Sequence, residues 1–232
     1  MMNFEFEERM KQVAMMDIVD MTLALEPFVV GTEGNTSRRD AFYPLTLKDG
    51  FTVKASGKSF KRISCGDFIC CDKDGNPEES HLKPSMESAL HAYIYKENPK
   101  VNFIAHTHPL NCLKIVCNAD KMYTFANDRF FPDQVVFNGR KSCVVPYAMP
   151  GEPLALALSE AISRWRGSFP EVILLANHGI ICCGKTAEEC VIKTQICEKA
   201  AASFSMDNNP LSYEQVKEIL EDPKEIHRRN LA

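Results

Sequence analysis

The chain has 232 residues, 45% of them hydrophobic, a formal net charge of −4 and a pI near 5.9. That is enough chain to bury a sizeable core in one domain spanning 1–232, and an acidic balance with no compensating basic cluster excludes a nucleic-acid-binding face. Apolar stretches end after five or six residues, so nothing spans a membrane, and "MMNFEFEERMKQ" carries early acidic residues and no apolar run, unlike a signal peptide; the expectation is a soluble cytoplasmic protein.

In chain order, Met10, Val13, Ala14, Ile18, Met21 and Leu25 recur at helical spacing and predict an amphipathic helix over 5–25. "GTEGNTS" follows, with Gly31, Gly34, Asn35 and Ser37 in a small-residue turn. From about 42 to 72 come short β-type runs, "FTVKA" and "DFICCD", broken by "KDG" and "SGK" turns. "ASGKS" holds Ser56, Gly57, Lys58 and Ser59. Backbone N–H groups, hydroxyls and an amide in these two turns suit an anionic oxygen cluster such as phosphate, although either can be an ordinary loop. A nucleotide P-loop is excluded, because that motif needs a glycine five positions before Gly57 and residue 52 is threonine.

A helix fits 85–97, entered after Pro84 with Ser85 near its N-cap and ended by Asn98-Pro99. Glu87 then lies in its first turn, where a carboxylate is ordinarily just favourable with the helix dipole. The helix leads directly into "VNFIAHTHP", a strand carrying His106 and His108. Their spacing of two puts both imidazoles on one face of an extended segment. Two neighbouring neutral rings suit a divalent cation, zinc above all; ordinary hydrogen bonding at a strand end is the competing reading. A carboxylate beside such an ion can ligate it or act as a general base. His91 lies four residues after Glu87 and reads as a packing or supporting residue rather than a ligand.

A short helix is predicted for 110–118, further strands for "QVVF" and "SCVVPY", and a helix for 152–166. "EVILLA" and "GIICC" are strands joined by Asn177-His178-Gly179, a tight turn in which Gly179 can take a positive φ. His178 there sits at an exposed strand edge, where functional groups are mounted on a rigid scaffold. Helices over 186–205 and 212–221 close the chain. Strands and helices alternate, yet several strands are near neighbours through short turns, so the class is α/β with a central mixed sheet covered by helices; the strand order is not readable. The ten cysteines form no Cys-x-x-Cys pair and mostly sit in apolar runs, which reads as structural thiols rather than a redox site.

"EGNTS", "ASG", "KPSMESALH", "AHTHP" and "LLANHGIICCGKTAEE" occur in the order seen in the class II aldolase/adducin family, and the chain resembles that family over roughly residues 10–205. The tail "LSYEQVKEILEDPKEIHRR" resembles the C-terminal segment of its rhamnulose-phosphate aldolase-like members. The resemblance implies one Zn²⁺ per subunit held by His106, His108 and His178, and Glu87 as acid/base. It places Asn35, Ser56, Gly57 and Ser85 around a substrate phosphate. It implies a ketose 1-phosphate cleaved to dihydroxyacetone phosphate and an aldehyde, with zinc stabilising the enediolate, in a homotetramer with sites at subunit borders. The same residues would serve a sugar-phosphate 4-epimerase or a decarboxylase, and a non-catalytic adducin-like interaction module is the alternative from another class. In one departure, Met86 stands where the family's aldolases usually carry a second phosphate-binding serine, which leaves an unphosphorylated or differently placed anionic substrate open. Tyr123 and Tyr213 are candidate proton donors, and Asp133 a candidate polar contributor.

Overall fold

The computed structural model describes residues 15–39, 50–78 and 80–230. Seven strands form one sheet: β1 (Asn35–Arg39), β2 (Phe51–Lys54), β3 (Phe68–Cys71), β4 (Phe103–Thr107), β5 (Cys143–Val145), β6 (Val172–Leu175) and β7 (Gly179–Gly184), in the order β3-β2-β1-β4-β7-β6-β5. Every pairing is antiparallel except β5 with β6. The sheet is mixed, as the short turns between strands predict.

Side chains alternate between the two faces, and each face has its own core. Phe103, Ala105, Val172, Leu174, Ile180 and Cys182 pack into one cluster with Ile18, Met21, Ile115, Phe125 and Cys197. These come from α1 (15–24), α3 (Leu110–Val116), α4 (Ala119–Asn127) and α7 (Ala187–Ser203). The intervening residues Ile104, Ile173, Leu175, Ile181 and Cys183 pack on the other face with Leu90, Ile94, Leu154 and Leu158, which belong to α2 (Ser88–Glu97) and α6 (Glu152–Arg164). The fold is thus three layers, helix–sheet–helix. α5 (Pro132–Asn138), α8 (Tyr213–Glu221) and α9 (Pro223–Asn230) complete the described helices. None of these helices is long and apolar enough to cross a membrane. Seven of the ten cysteines are buried.

Three expectations need correction. "QVVF" is helical, inside α5. Pro132 at the first helical position, Asp133 in the first turn and Gly139 at φ 73° are start and stop signals that outweigh a β-branched pair. The helix predicted for 85–97 begins at Ser88 with Glu87 as its N-cap. Ser85 lies three residues upstream of that start, and its Oγ accepts from Glu87 N–H at 3.3 Å. β1 is a strand where "GTEGNTS" predicts a turn: its polar "NTSRR" has four of five residues buried. Of the opening helix, residues 15–24 are helical, and the remainder of the predicted span before residue 15 lies outside the described residues.

Candidate active site

Sheet register assembles the site. Asn35 on β1 lies directly opposite His106 on β4, and His106 opposite Ile181 on β7. His106 is inside β4 and His108 one residue past its end; their rings are 4.8 Å apart, centroid to centroid. His178 comes from the β6–β7 turn, and its ring lies 4.9 Å from that of His106 and 5.0 Å from that of His108. One ligand atom from each of the three lies within 4.8 Å of the others, so two distant parts of the chain converge.

The turn works differently from its predicted form. The left-handed residue is Asn177, at φ 54°, while Gly179 already belongs to β7. Glycine is required there by space: a Cβ would lie 2.5 Å from His108 Cδ2 and 2.6 Å from Thr107 O.

Hydrogen bonding fixes how these rings carry their protons. His106 Nδ1 is 3.0 Å from the Ile180 carbonyl, which only accepts, so Nδ1 bears the hydrogen. His108 Nδ1 is 3.2 Å from Glu33 Oε2, with the same consequence. Burial, with His108 adding, pushes His106 down to about 3, so its ring is neutral. Burial first, then His106, pushes His178 down to about 4. In their neutral Nδ1–H forms the Nε2 atoms of His106 and His108 face each other at 3.1 Å as two lone pairs. The carboxylate of Glu87 closes on the same space, Oε2 3.2 Å from His106 Nε2 and Oε1 3.4 Å from His178 Nε2. Such a concentration of acceptors is unfavourable unless a cation lies among them. The 3.1 Å separation is close to the roughly 3.3 Å between two nitrogens each 2.0–2.1 Å from a tetrahedral ion. Among the described residues, the buried Glu87 Oε1 and His178 Nδ1 also find no hydrogen-bond partner. The donor set fits a divalent ion of zinc's type.

Glu87 does not use its N-cap position to cap its own helix. Its Oε2 instead accepts from Asn35 Nδ2 at 2.7 Å, and the same amide donates to Ser85 Oγ at 3.1 Å. A cavity of about 290 Å³ runs past these groups and is lined also by Ser56, Gly57, Met86 and Pro150. Of the residues assigned to phosphate, Ser56, Gly57, Ser85 and Asn35 all line it, although the hydrogens of Asn35 already have acceptors. Met86 is 71% exposed in this wall and presents a thioether. Tyr123, Tyr213 and Asp133 do not line it. Asp133 is paired with Arg228 at 2.7 Å, and the Arg140 guanidinium stacks on Tyr213 at 3.8 Å.

Two residues escaped sequence reasoning. Glu33 orients His108. Lys54, at the end of β2, is 2% exposed, lines the cavity and, among the described residues, donates only to the carbonyls of Thr32, Ala55 and Lys58. Among the described residues no carboxylate pairs with it, and burial lowers its pKa to about 8 despite Asp67. The available signal was a lysine closing the short β-type run Phe51-Thr52-Val53.

A three-layer α/β fold with three convergent imidazoles and a carboxylate in one cavity defines a candidate metal-dependent enzyme class. The match to the model of the Class II Aldolase and Adducin N-terminal domain over residues 19–204 makes the assignment, and the chain belongs to that family. It is 32% identical to methylthioribulose-1-phosphate dehydratase of Bacillus subtilis (strain 168), covering 79% of this chain and 85% of the relative. It is 30% identical to L-fuculose phosphate aldolase of Methanococcus maripaludis (strain DSM 14266), covering 78% and 89%. A crystal structure of YgbL, a putative aldolase/epimerase/decarboxylase from Escherichia coli, superposes with a TM-score of 0.74 at 20% identity, covering 90% and 99%. The last likeness concerns the fold alone.

Proposed function

We propose that this chain is a zinc-dependent lyase acting on a sugar phosphate, with the ion held by His106, His108 and His178 and protons moved by Glu87. The leading reaction is aldol cleavage of a ketose 1-phosphate to dihydroxyacetone phosphate and an aldehyde. The observation that carries the reading is the carboxylate of Glu87, 3.2 and 3.4 Å from two of the three imidazoles, in the same cavity as the buried cation of Lys54.

When bound, such an ion supplies Lewis-acid polarisation of a substrate carbonyl oxygen. The chain's own residues supply the rest. Among the described residues Glu87 Oε1 has no hydrogen-bond partner, which leaves it to exchange a proton with a substrate oxygen or carbon. Oε2 is anchored by Asn35, so the carboxylate is fixed in direction. At the other end, Lys54 Nζ, Ser56 and the open backbone of Gly57 offer charge, a hydroxyl and an N–H to a phosphate. Binding an anion would offset the desolvation of Lys54 and replace what the family's second serine provides at position 86. That favours a phosphorylated substrate over a neutral one.

The dehydratase reading is carried by the 32% identity over 85% of that relative. Loss of water beside a carbonyl also begins with a proton transfer that Glu87 could perform. The test incubates zinc-loaded protein with dihydroxyacetone phosphate and a panel of aldehydes, and separately with ketose 1-phosphates and their dephosphorylated forms. Carbon–carbon bond formation that needs the phosphate is expected. Release of water without bond formation would replace aldolase by dehydratase, and no turnover of any phosphorylated sugar would overturn both.

A further inference from the structure

The Asn35 amide can hold Glu87 only if its NH₂ end faces the carboxylate, and something must stop it from turning over. Behind it runs a buried chain of polar groups. His91 Nε2 is 2.5 Å from Asn35 Oδ1, His91 Nδ1 is 2.6 Å from Ser37 Oγ, and Ser37 Oγ is 2.7 Å from Tyr95 OH. The chain follows from two periodicities. Glu87, His91 and Tyr95 are spaced by four and form one stripe of α2 and its N-cap. Asn35 and Ser37 are spaced by two and share one face of β1. Where the stripes meet, His91 falls between Asn35 and Ser37, with Glu87 and Tyr95 at the ends. His91 is 0% exposed, stacked on Phe51 at 6.5 Å, and Ser37 is 0% exposed.

The direction of every bond is forced. An ionised Glu87 only accepts, so Asn35 must donate with Nδ2 and present Oδ1 to His91. His91 Nε2 must then carry the hydrogen. The ring is neutral in this dry surrounding, so Nδ1 accepts and Ser37 O–H donates to it. Ser37 oxygen, having given its hydrogen, accepts from Tyr95 O–H. We propose that His91 is a positioning residue: held as its Nε2–H tautomer by Ser37 and Tyr95, it locks the Asn35 amide so that the NH₂ group aims at Glu87 and fixes the carboxylate toward the three imidazoles. No contact with substrate or ion is involved.

The inference rests on the proposed role of Glu87, and its first test does not. In metal-free, substrate-free protein, long-range ¹H–¹⁵N NMR of labelled histidine reads the tautomer of His91. A protonated Nε2 with an unprotonated Nδ1 is expected; the Nδ1–H tautomer or a charged ring at neutral pH would overturn the proposal, whatever the enzyme turns over. The second test is kinetic. His91→Gln keeps a donor toward Asn35 and an acceptor toward Ser37 on one planar amide, and its kcat is expected within about threefold of the parent. His91→Leu removes both and is expected to lose roughly 10–100-fold in kcat, with KM and bound-metal content near those of the parent. Equal kcat for the two variants would overturn the proposal. If His91→Leu does not fold, Ser37→Ala serves: it removes the donor that holds the tautomer, and an unchanged His91 spectrum in that variant would overturn the proposal. Failure to find any turnover would remove the proposed reaction and leave the NMR result standing.

Discussion

Gly179→Ala tests the assembly of the site at its tightest point. The new Cβ would start 2.5 Å from His108 Cδ2 and 2.6 Å from Thr107 O. Ordinary carbon contacts begin near 3.4 Å, so the His108 ring or the β4 end must retreat by roughly 1 Å. Metal–ligand distances tolerate only about 0.2 Å, and the ring has no slack, because Nδ1 is tied to Glu33 at 3.2 Å. His108 is then lost as a ligand, and zinc affinity is expected to fall by about 100-fold. Forcing a methyl into a filled space also destabilises the metal-free protein by about 1–3 kcal/mol. The affinity is read by competition with a chromophoric chelator and the stability by urea denaturation without metal. Gly57→Ala is the internal control. Gly57 sits at φ 75° with nothing within 4 Å of its Cβ position, so it carries conformational strain of about 1–2 kcal/mol and no loss of metal. Wild-type zinc affinity in Gly179→Ala would refute the claim that His108 is held against β7 as a ligand.

Glu87→Gln is expected to retain the metal and lose turnover by roughly 10²–10⁴-fold; full activity would remove Glu87 from proton transfer. The Lys54 cation weakens as an anion partner once pH passes its folded value of about 8. Inhibition by inorganic phosphate should therefore fade by up to about tenfold per pH unit above that point, and Lys54→Met should flatten the dependence. Its lowered folded pKa also means that, between about 8 and the ordinary lysine value of 10.5, the unfolded chain binds more protons. Its contribution to stability thus rises with pH across that window, and a fall would contradict the burial argument. Lys193 is 2% exposed at its side chain and pairs with Glu171 Oε2 at 2.6 Å and Glu189 Oε2 at 3.2 Å. Lys193→Met removes the cation between these carboxylates, leaving Glu171 with Arg229 and Glu189 with the Lys185 N–H, and is expected to cost about 1–3 kcal/mol in urea denaturation; a loss under about 1 kcal/mol would show the pairs to be incidental.

The fold was legible wherever one period dominated. The apolar runs in "VNFIAH", "EVILLA" and "GIICC" became β4, β6 and β7 because both faces of the sheet are covered, which selects apolar residues at consecutive positions. "QVVF" failed because a run of four cannot distinguish a buried strand from a buried helical turn, and only Pro132 and Gly139 beside it carried the distinction. β1 failed for a different reason. Its "NTSRR" is polar, yet Asn35, Thr36 and Ser37 are 3%, 0% and 0% exposed. Those groups are buried because each has a partner, Thr36 with Thr22 at 2.6 Å and Asn35 and Ser37 with His91. Burial by hydrogen bonding leaves no hydrophobic signature.

The same distinction separates the legible part of the site from the rest. His106 and His108 declared themselves because their spacing matches the strand period, and His178 because it occupies a turn between two strands. Their convergence was an expectation that only the order β4-β7-β6 could satisfy. Lys54 and Glu33 could not be found this way, since each acts on a group distant in sequence and neither belongs to a spaced pair. His91 lies between these cases. Its spacing of four from Glu87 marks it as a supporting residue, but what it supports depends on the register that sets Asn35 opposite His106. A one-residue slip of β1 would turn Asn35 and Ser37 to the other face, leaving His91 without either partner and Glu87 without the amide that fixes it. Strand register is therefore a condition of the chemistry proposed for Glu87 as well as of the fold.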